Sequence, residues 1–219
     1  MSVIGITLSG LAVAVLAYLL GSLSFAIIIT KLLYHKDIRT FGSGNAGMTN
    51  VLRTFGKGAA ALTLIGDIGK GTLAVVLGKL IFAQLGLPAI WGACIAWVCA
   101  VLGHVYPVYF HFKGGKAISV GAGTIIGVHP LLIVPVLGTF LIVFLISRMV
   151  SLASICAAVM YPLATFLCFQ FVFHQSPLLP TLTAIVVASI ALLKHRSNMK
   201  RIRNGTEYKF VHKDTPAAP

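Results

Sequence analysis

Long apolar runs separated by short polar loops constrain this chain more than anything else in it. Apolar residues make up 58% of the 219 and charged residues only 10%, whereas a soluble domain carries about a quarter charged. A helix crossing the hydrocarbon core of a bilayer needs about 20 apolar residues, because its backbone groups find no water there. The runs lie near residues 3–33, 59–85, 88–110, 117–128, 131–147, 152–173 and 178–193, the fourth being short. The expected fold is an all-α integral membrane bundle of seven transmembrane helices. It forms one domain over residues 1–219, with a basic tail from about residue 194. The first run has no small-residue cleavage site followed by polar sequence, so it reads as a retained helix and not a signal peptide.

Lysine and arginine settle the expected orientation. They fall in the first long loop (Lys36, Arg39, Arg53, Lys57), after the third run (Lys113, Lys116), after the fifth (Arg148), and after the last (Lys194, Arg196, Lys200, Arg201, Arg203, Lys209, Lys213). The turns at 86–87, 129–130 and 174–177 have neither residue. The positive-inside rule then places every charged loop and the C-terminus in the cytoplasm, with the N-terminus outside. Seven crossings keep Arg148 and the tail on that side, and six do not. A re-entrant segment at 117–128 is the rival reading. The net charge of +13 therefore reflects topology, and no nucleic-acid partner is expected. Cys94, Cys99, Cys156 and Cys168 lie in apolar runs without metal-ligand spacing, so neither metal nor cofactor is expected.

Three polar segments then share one membrane face. The first, residues 41–58, reads FGSGNAGMTNVLRTFGKG: Gly42, Ser43, Gly44, Asn45, Thr49, Asn50, Arg53 and Lys57, with no acidic residue. Glycines let backbone close around a ligand, hydroxyls and amides donate to it, and the cations match a phosphate or carboxylate. The second, residues 103–117, holds His104 and the run Lys113-Gly114-Gly115-Lys116. The third, residues 195–207, places His195, Asn198 and Arg201 at helical spacings of three, before Glu207. Each alone has an ordinary reading as turn, anchor or topology signal, and their convergence carries the weight.

Asp67 and Lys70, three apart inside the second run, read either as an ion pair fixing helix packing or as a device orienting a basic site residue. Lys79 is expected to snorkel to the interface. Ser151 reads first as a helix cap, or with Ser154 as a fourth wall of the site.

These residues resemble the bacterial acyl-phosphate:glycerol-3-phosphate acyltransferases, the PlsY family, over nearly the whole chain. The family's first motif is matched by Gly42-Ser43-Gly44-Asn45, Gly47, Thr49-Asn50 and Arg53. The second is matched by Gly103-His104, Pro107, Phe112 and Lys113-Gly114-Gly115-Lys116, and the third by His195, Asn198, Arg201, Gly205 and Glu207. One departure bears on geometry: Ala117 stands where the family usually has another glycine. The resemblance implies transfer of a fatty acyl group from acyl phosphate to the 1-hydroxyl of glycerol 3-phosphate. It implies lysophosphatidic acid and phosphate as products, in phospholipid synthesis, by a monomer in the bacterial inner (cytoplasmic) membrane with its site facing the cytoplasm.

On that reading Ser43-Gly44-Asn45, with Asn50, hold one phosphate, and Arg53 and Lys116 hold phosphate by charge. His195 and Asn198 position the glycerol. Acyl phosphate is already activated, so the protein mainly positions and stabilises charge; the hydroxyl proton goes either to His195 or to a donor phosphate oxygen, and the resemblance favours the phosphate. Ser43 as a covalent nucleophile is the minor alternative. The rival function is a small transporter of phosphate-bearing anions or lipids, although no internal repeat is present. A CDP-alcohol phosphotransferase would need clustered aspartates and a divalent metal, and four acidic residues cannot supply them.

Overall fold

The computed structural model describes residues 3–210. His212 and Lys213 of the basic tail lie outside the described residues. Those described are helical, with no strand among them: α1 (Val3–Ser22), α2 (Phe25–Tyr34), α3 (Met48–Phe55), α4 (Lys57–Gln84), α5 (Ala89–Val105), α6 (Ile118–Val128), α7 (Ile133–Ser147), α8 (Val150–Leu167), α9 (Leu178–Lys194) and α10 (Arg196–Arg203). Five segments are long and apolar enough to cross a membrane, and six if α9 and α10, bent by 58°, count as one. The expected all-α membrane fold is observed. The expected seventh crossing, α6, has 11 residues and rises only about 16 Å, roughly half the hydrocarbon thickness.

The first expected span is two helices. α1 and α2 part at Leu23 and Ser24, freeing backbone groups that a bilayer cannot satisfy. Lys70 supplies the remedy: its Nζ donates to the Leu23 carbonyl at 2.6 Å and contacts His104 Nδ1 at 3.0 Å. Asp67 Oδ1 lies 2.8 Å from Nζ as an ion pair, outside hydrogen-bond alignment. The structure carries both readings of this pair: it serves the helix break, and it also lies against the cavity-lining His104, whose Nδ1 is 3.6 Å from Asp67 Oδ1. Lys79 reaches the end of α6, whose last carbonyls lack helix partners. Its Nζ donates to the Gly127 and Val128 carbonyls at 3.4 and 3.2 Å.

Small residues let the helices approach closely, as membrane bundles require. Gly21 and Gly103 seat α1 on α5, Gly78 and Gly92 seat α4 on α5, and Gly71 and Gly123 seat α4 on α6. The main core surrounds Trp97, Phe82, Val75 and Val101. A smaller one, with Ile27, Ile38, Ala46, Val51 and Ala59, lies beneath the first polar loop. α7 has no buried residue and packs chiefly on α8, so it forms a side wall.

Candidate active site

One cavity of about 460 Å³ has walls from α3 to α10. Its polar end gathers Ser43, Asn45, Thr49, Asn50 and Arg53 from the first segment, His104 and Lys116 from the second, and His195, Asn198, Arg201 and Glu207 from the third; Ser151 joins them from α8. Its other limb is apolar, walled by Ile118 and Ile125 of α6, Ile133, Val136 and Phe140 of α7, Ala157, Ala158 and Tyr161 of α8, and Val187 and Ala188 of α9.

A hydrogen-bonded chain runs through the polar end. Lys116 Nζ donates to Asn198 Oδ1 at 2.6 Å, and Asn198 Nδ2 donates to Glu207 Oε1 at 2.9 Å. The same carboxylate accepts from Ser151 Oγ at 2.9 Å and from Arg201 Nε at 2.7 Å. Ser151 therefore does not cap α8, whose N-cap residue is Met149. Burial alone would raise the Glu207 carboxyl, but the bonds from Asn198, Ser151 and Arg201 outweigh it and hold the pKa below the ordinary glutamate value. Lys116 is pushed below the ordinary lysine value by burial, then by Arg201 and Arg53, against the pull of Glu207.

His195 ends α9, and its ring is buried. Nδ1 lies 2.8 Å from the Ala191 carbonyl. Only a protonated Nδ1 can serve that acceptor, so in the neutral ring Nε2 carries the lone pair. Ser43 Oγ has no base beside it among the described residues, and its N–H donates to Asn50 Oδ1 at 3.1 Å.

Asn50 is 2% exposed and largely occupied by the loop itself: Nδ2 reaches the carbonyls of Ile38, Phe41 and Asn45 at 3.2, 2.9 and 3.1 Å. Its amide holds the Ser43 loop in shape, with no N–H left for a phosphate. Gly42 closes that loop at φ +55°, where a Cβ would strike Asn50 Oδ1. Gly115 is a glycine for space, since a Cβ would strike His104 Nε2 and the Ala46 carbonyl. Neither lines the cavity. Lys113, Gly44 and Gly114 face a separate surface depression of about 420 Å³, with Asp37, Arg39 and His111. The two lysines of the Lys-Gly-Gly-Lys run thus part company. Ala117 takes the left-handed conformation at φ +69°, ψ +4° at the head of α6. Two contributors had no signal in the sequence: Tyr208 and Phe210, whose rings lie against Arg53.

A family model described as glycerol-3-phosphate acyltransferase matches residues 11–205. The chain belongs to the glycerol-3-phosphate acyltransferase family. Among relatives in this family, a glycerol-3-phosphate acyltransferase of Bordetella pertussis is 41% identical over 207 residues, 94% of each chain. One of Clostridioides difficile is 36% identical over 205 residues, covering 94% of this chain and 97% of its own. The crystal structure of PlsY, an integral membrane glycerol 3-phosphate acyltransferase, in its glycerol 3-phosphate form superposes with a TM-score of 0.81 at 35% identity, covering 93% of this chain and 96% of that one. Its lysophosphatidic acid form gives 0.78 at 34% identity.

Proposed function

We propose that this glycerol-3-phosphate acyltransferase takes its acyl group from acyl phosphate, delivers it to the 1-hydroxyl of glycerol 3-phosphate, and releases lysophosphatidic acid and inorganic phosphate. One observation carries the reading: a single cavity joins a cationic end to an apolar limb between α6, α7, α8 and α9. An acyl phosphate has that shape and polarity, and its chain can enter sideways past α7.

At the polar end, Arg53 and Lys116 hold phosphate by charge, Arg53 with a planar edge suited to two oxygens. Ser43, Asn45 and Thr49 add neutral donors. The lone pair of His195 Nε2 accepts from the neighbouring 2-hydroxyl and so positions the glycerol, leaving the hydrogen of the attacking 1-hydroxyl directed at the phosphate, while Asn198 transmits the position of Glu207 to Lys116. The hydroxyl oxygen forms a C–O bond with the acyl carbon as the acyl–phosphate C–O bond breaks. The hydroxyl proton passes to an oxygen of the leaving phosphate. The cations stabilise charge developing on the acyl oxygen and on the phosphate.

The topology we propose is seven passes by a monomer in the bacterial inner membrane, with the N-terminus outside and the site facing the cytoplasm. The charged loops of one sign favour it. So does the register of α6 on α4: Gly123 sits beside Ile68 and Val128 beside Lys79, so α6 ascends from the site toward the far end of α4.

Purified protein assayed with acyl phosphate, acyl-CoA and acyl carrier protein as alternative donors tests this. Phosphate release that requires both acyl phosphate and glycerol 3-phosphate is expected; turnover with acyl-CoA alone sinks the donor assignment. Lys116→Ala is expected to lower kcat/KM about a hundredfold or more, the scale of losing one preorganised donor to developing charge.

A further inference from the structure

The Arg53 guanidinium makes neither a hydrogen bond nor an ion pair with any described residue, although Arg53 and Glu207 line the same cavity. Its guanidinium instead lies over aromatic rings: Cζ is 3.9 Å from the Tyr208 ring centroid and 5.6 Å from that of Phe210. All five guanidinium N–H groups lie in its plane. The ring contact therefore holds the group while its N–H groups find no acceptor among the described residues. A carboxylate partner would engage those N–H groups and neutralise the charge, but Glu207 is taken up by Ser151, Asn198 and Arg201.

The ring itself is held at both ends. On one side, Glu207 precedes it with those three bonds. On the other, the Phe210 N–H donates to the Arg148 carbonyl at 2.9 Å. The Phe210 ring meets Phe144 of α7 edge-on, with centroids 6.0 Å apart, and Tyr208 at 5.0 Å. Arg53, by contrast, rides on an eight-residue helix between Gly47 and Gly56, and no described side chain hydrogen-bonds its head.

We propose that Tyr208 is a positioning residue for acyl transfer: its ring holds the Arg53 guanidinium at the polar end of the cavity, N–H groups free, for a substrate phosphate. The Tyr208 hydroxyl makes no hydrogen bond among the described residues, so the ring face carries the role. This rests on Arg53 being a phosphate ligand, and the test separates the two ideas.

The full chain, purified in detergent, is assayed with each substrate varied in turn. The set is wild type, Arg53→Ala, Tyr208→Leu, Tyr208→Phe, Tyr208→Trp and the Arg53→Ala/Tyr208→Leu double variant. Arg53→Ala raises the KM of the substrate whose phosphate it holds. Tyr208→Leu raises that same KM about three- to fivefold, the scale of an exposed cation–π contact, and changes kcat less. Phe and Trp at 208 keep the KM near wild type, and Leu adds nothing once Arg53 is gone. The proposal is overturned if Tyr208→Leu leaves that KM unchanged, acts equally without Arg53, or is matched by Tyr208→Phe. If Arg53→Ala alters neither KM, the phosphate reading of Arg53 falls and this proposal falls with it.

Discussion

The Asp67–Lys70–His104 cluster and the Lys116–Asn198–Glu207 chain adjoin the same cavity, where His104 and Lys116 both line the wall, yet they treat charge in opposite ways. In the first, one buried acid faces one buried base, and the base directs its hydrogen bonds to a helix break and to His104. In the second, three cations (Arg53, Lys116 and Arg201) line the cavity with one carboxylate, which pairs with Arg201 alone and already accepts three hydrogen bonds. Cations without counter-charge beside an apolar cavity are costly unless something supplies the missing anion. On the function proposed above, similar residue types thus serve a structural purpose where they balance and a ligand where they do not.

Breaking the balanced cluster is expected to give the largest effect. Asp67→Asn leaves Lys70 buried without its counter-charge, a change worth about 3–5 kcal/mol. In a chain of this length that corresponds to roughly 6–20 °C in Tm. Thermal unfolding in detergent checks it, and Asp67→Asn with Lys70→Met is expected to recover much of the loss. A single variant melting within a degree or two of wild type would mean that the pair does not hold the α1–α2 break.

The unbalanced cluster answers to pH instead. Lys116 must be charged to hold phosphate, and burial with neighbouring cations lowers its pKa. A base with a lowered pKa is charged below that value and loses charge as pH rises through it. kcat/KM is therefore expected to hold at lower pH and fall about tenfold per unit above that pKa, starting below the ordinary lysine value near 10.4. Arginine stays charged throughout, so Lys116→Arg should abolish the alkaline fall even at reduced overall rate. An unchanged alkaline limb in that variant would assign the titration to another group.

The contrast also shows what the sequence made legible. Apolar runs and clustered basic loops announce a membrane bundle and a shared polar face because both are local patterns. The α1–α2 break was hidden because its remedy, Lys70, lies 47 residues from Leu23. The Lys-Gly-Gly-Lys run looks symmetrical, and only folding sends Lys116 into the cavity and Lys113 to the surface depression. Asn50 was legible as a polar loop residue, but its buried amide serves the loop. Tyr208 gave no signal, since an aromatic in a basic tail acquires meaning only when the tail folds back over Arg53.

The smallest expected effect probes the boundary between the two clusters, at Ala117. Its left-handed backbone costs a residue with a Cβ about 1–2 kcal/mol. Ala117→Gly removes that strain but restores about 0.4–1 kcal/mol of freedom to the unfolded chain. The difference is a stabilisation of roughly 0–1.6 kcal/mol, or at most about 6 °C in Tm. Because the backbone already takes a glycine-like conformation, Lys116 is in place beforehand, and kcat/KM should change less than twofold. A loss of about 1 kcal/mol would show that the Ala117 methyl, 2% exposed in the main core, packs well enough to outweigh its strain. A tenfold gain in kcat/KM would show that the methyl crowds the phosphate, and that the unbalanced cluster is tighter around its ligand than the cavity suggests.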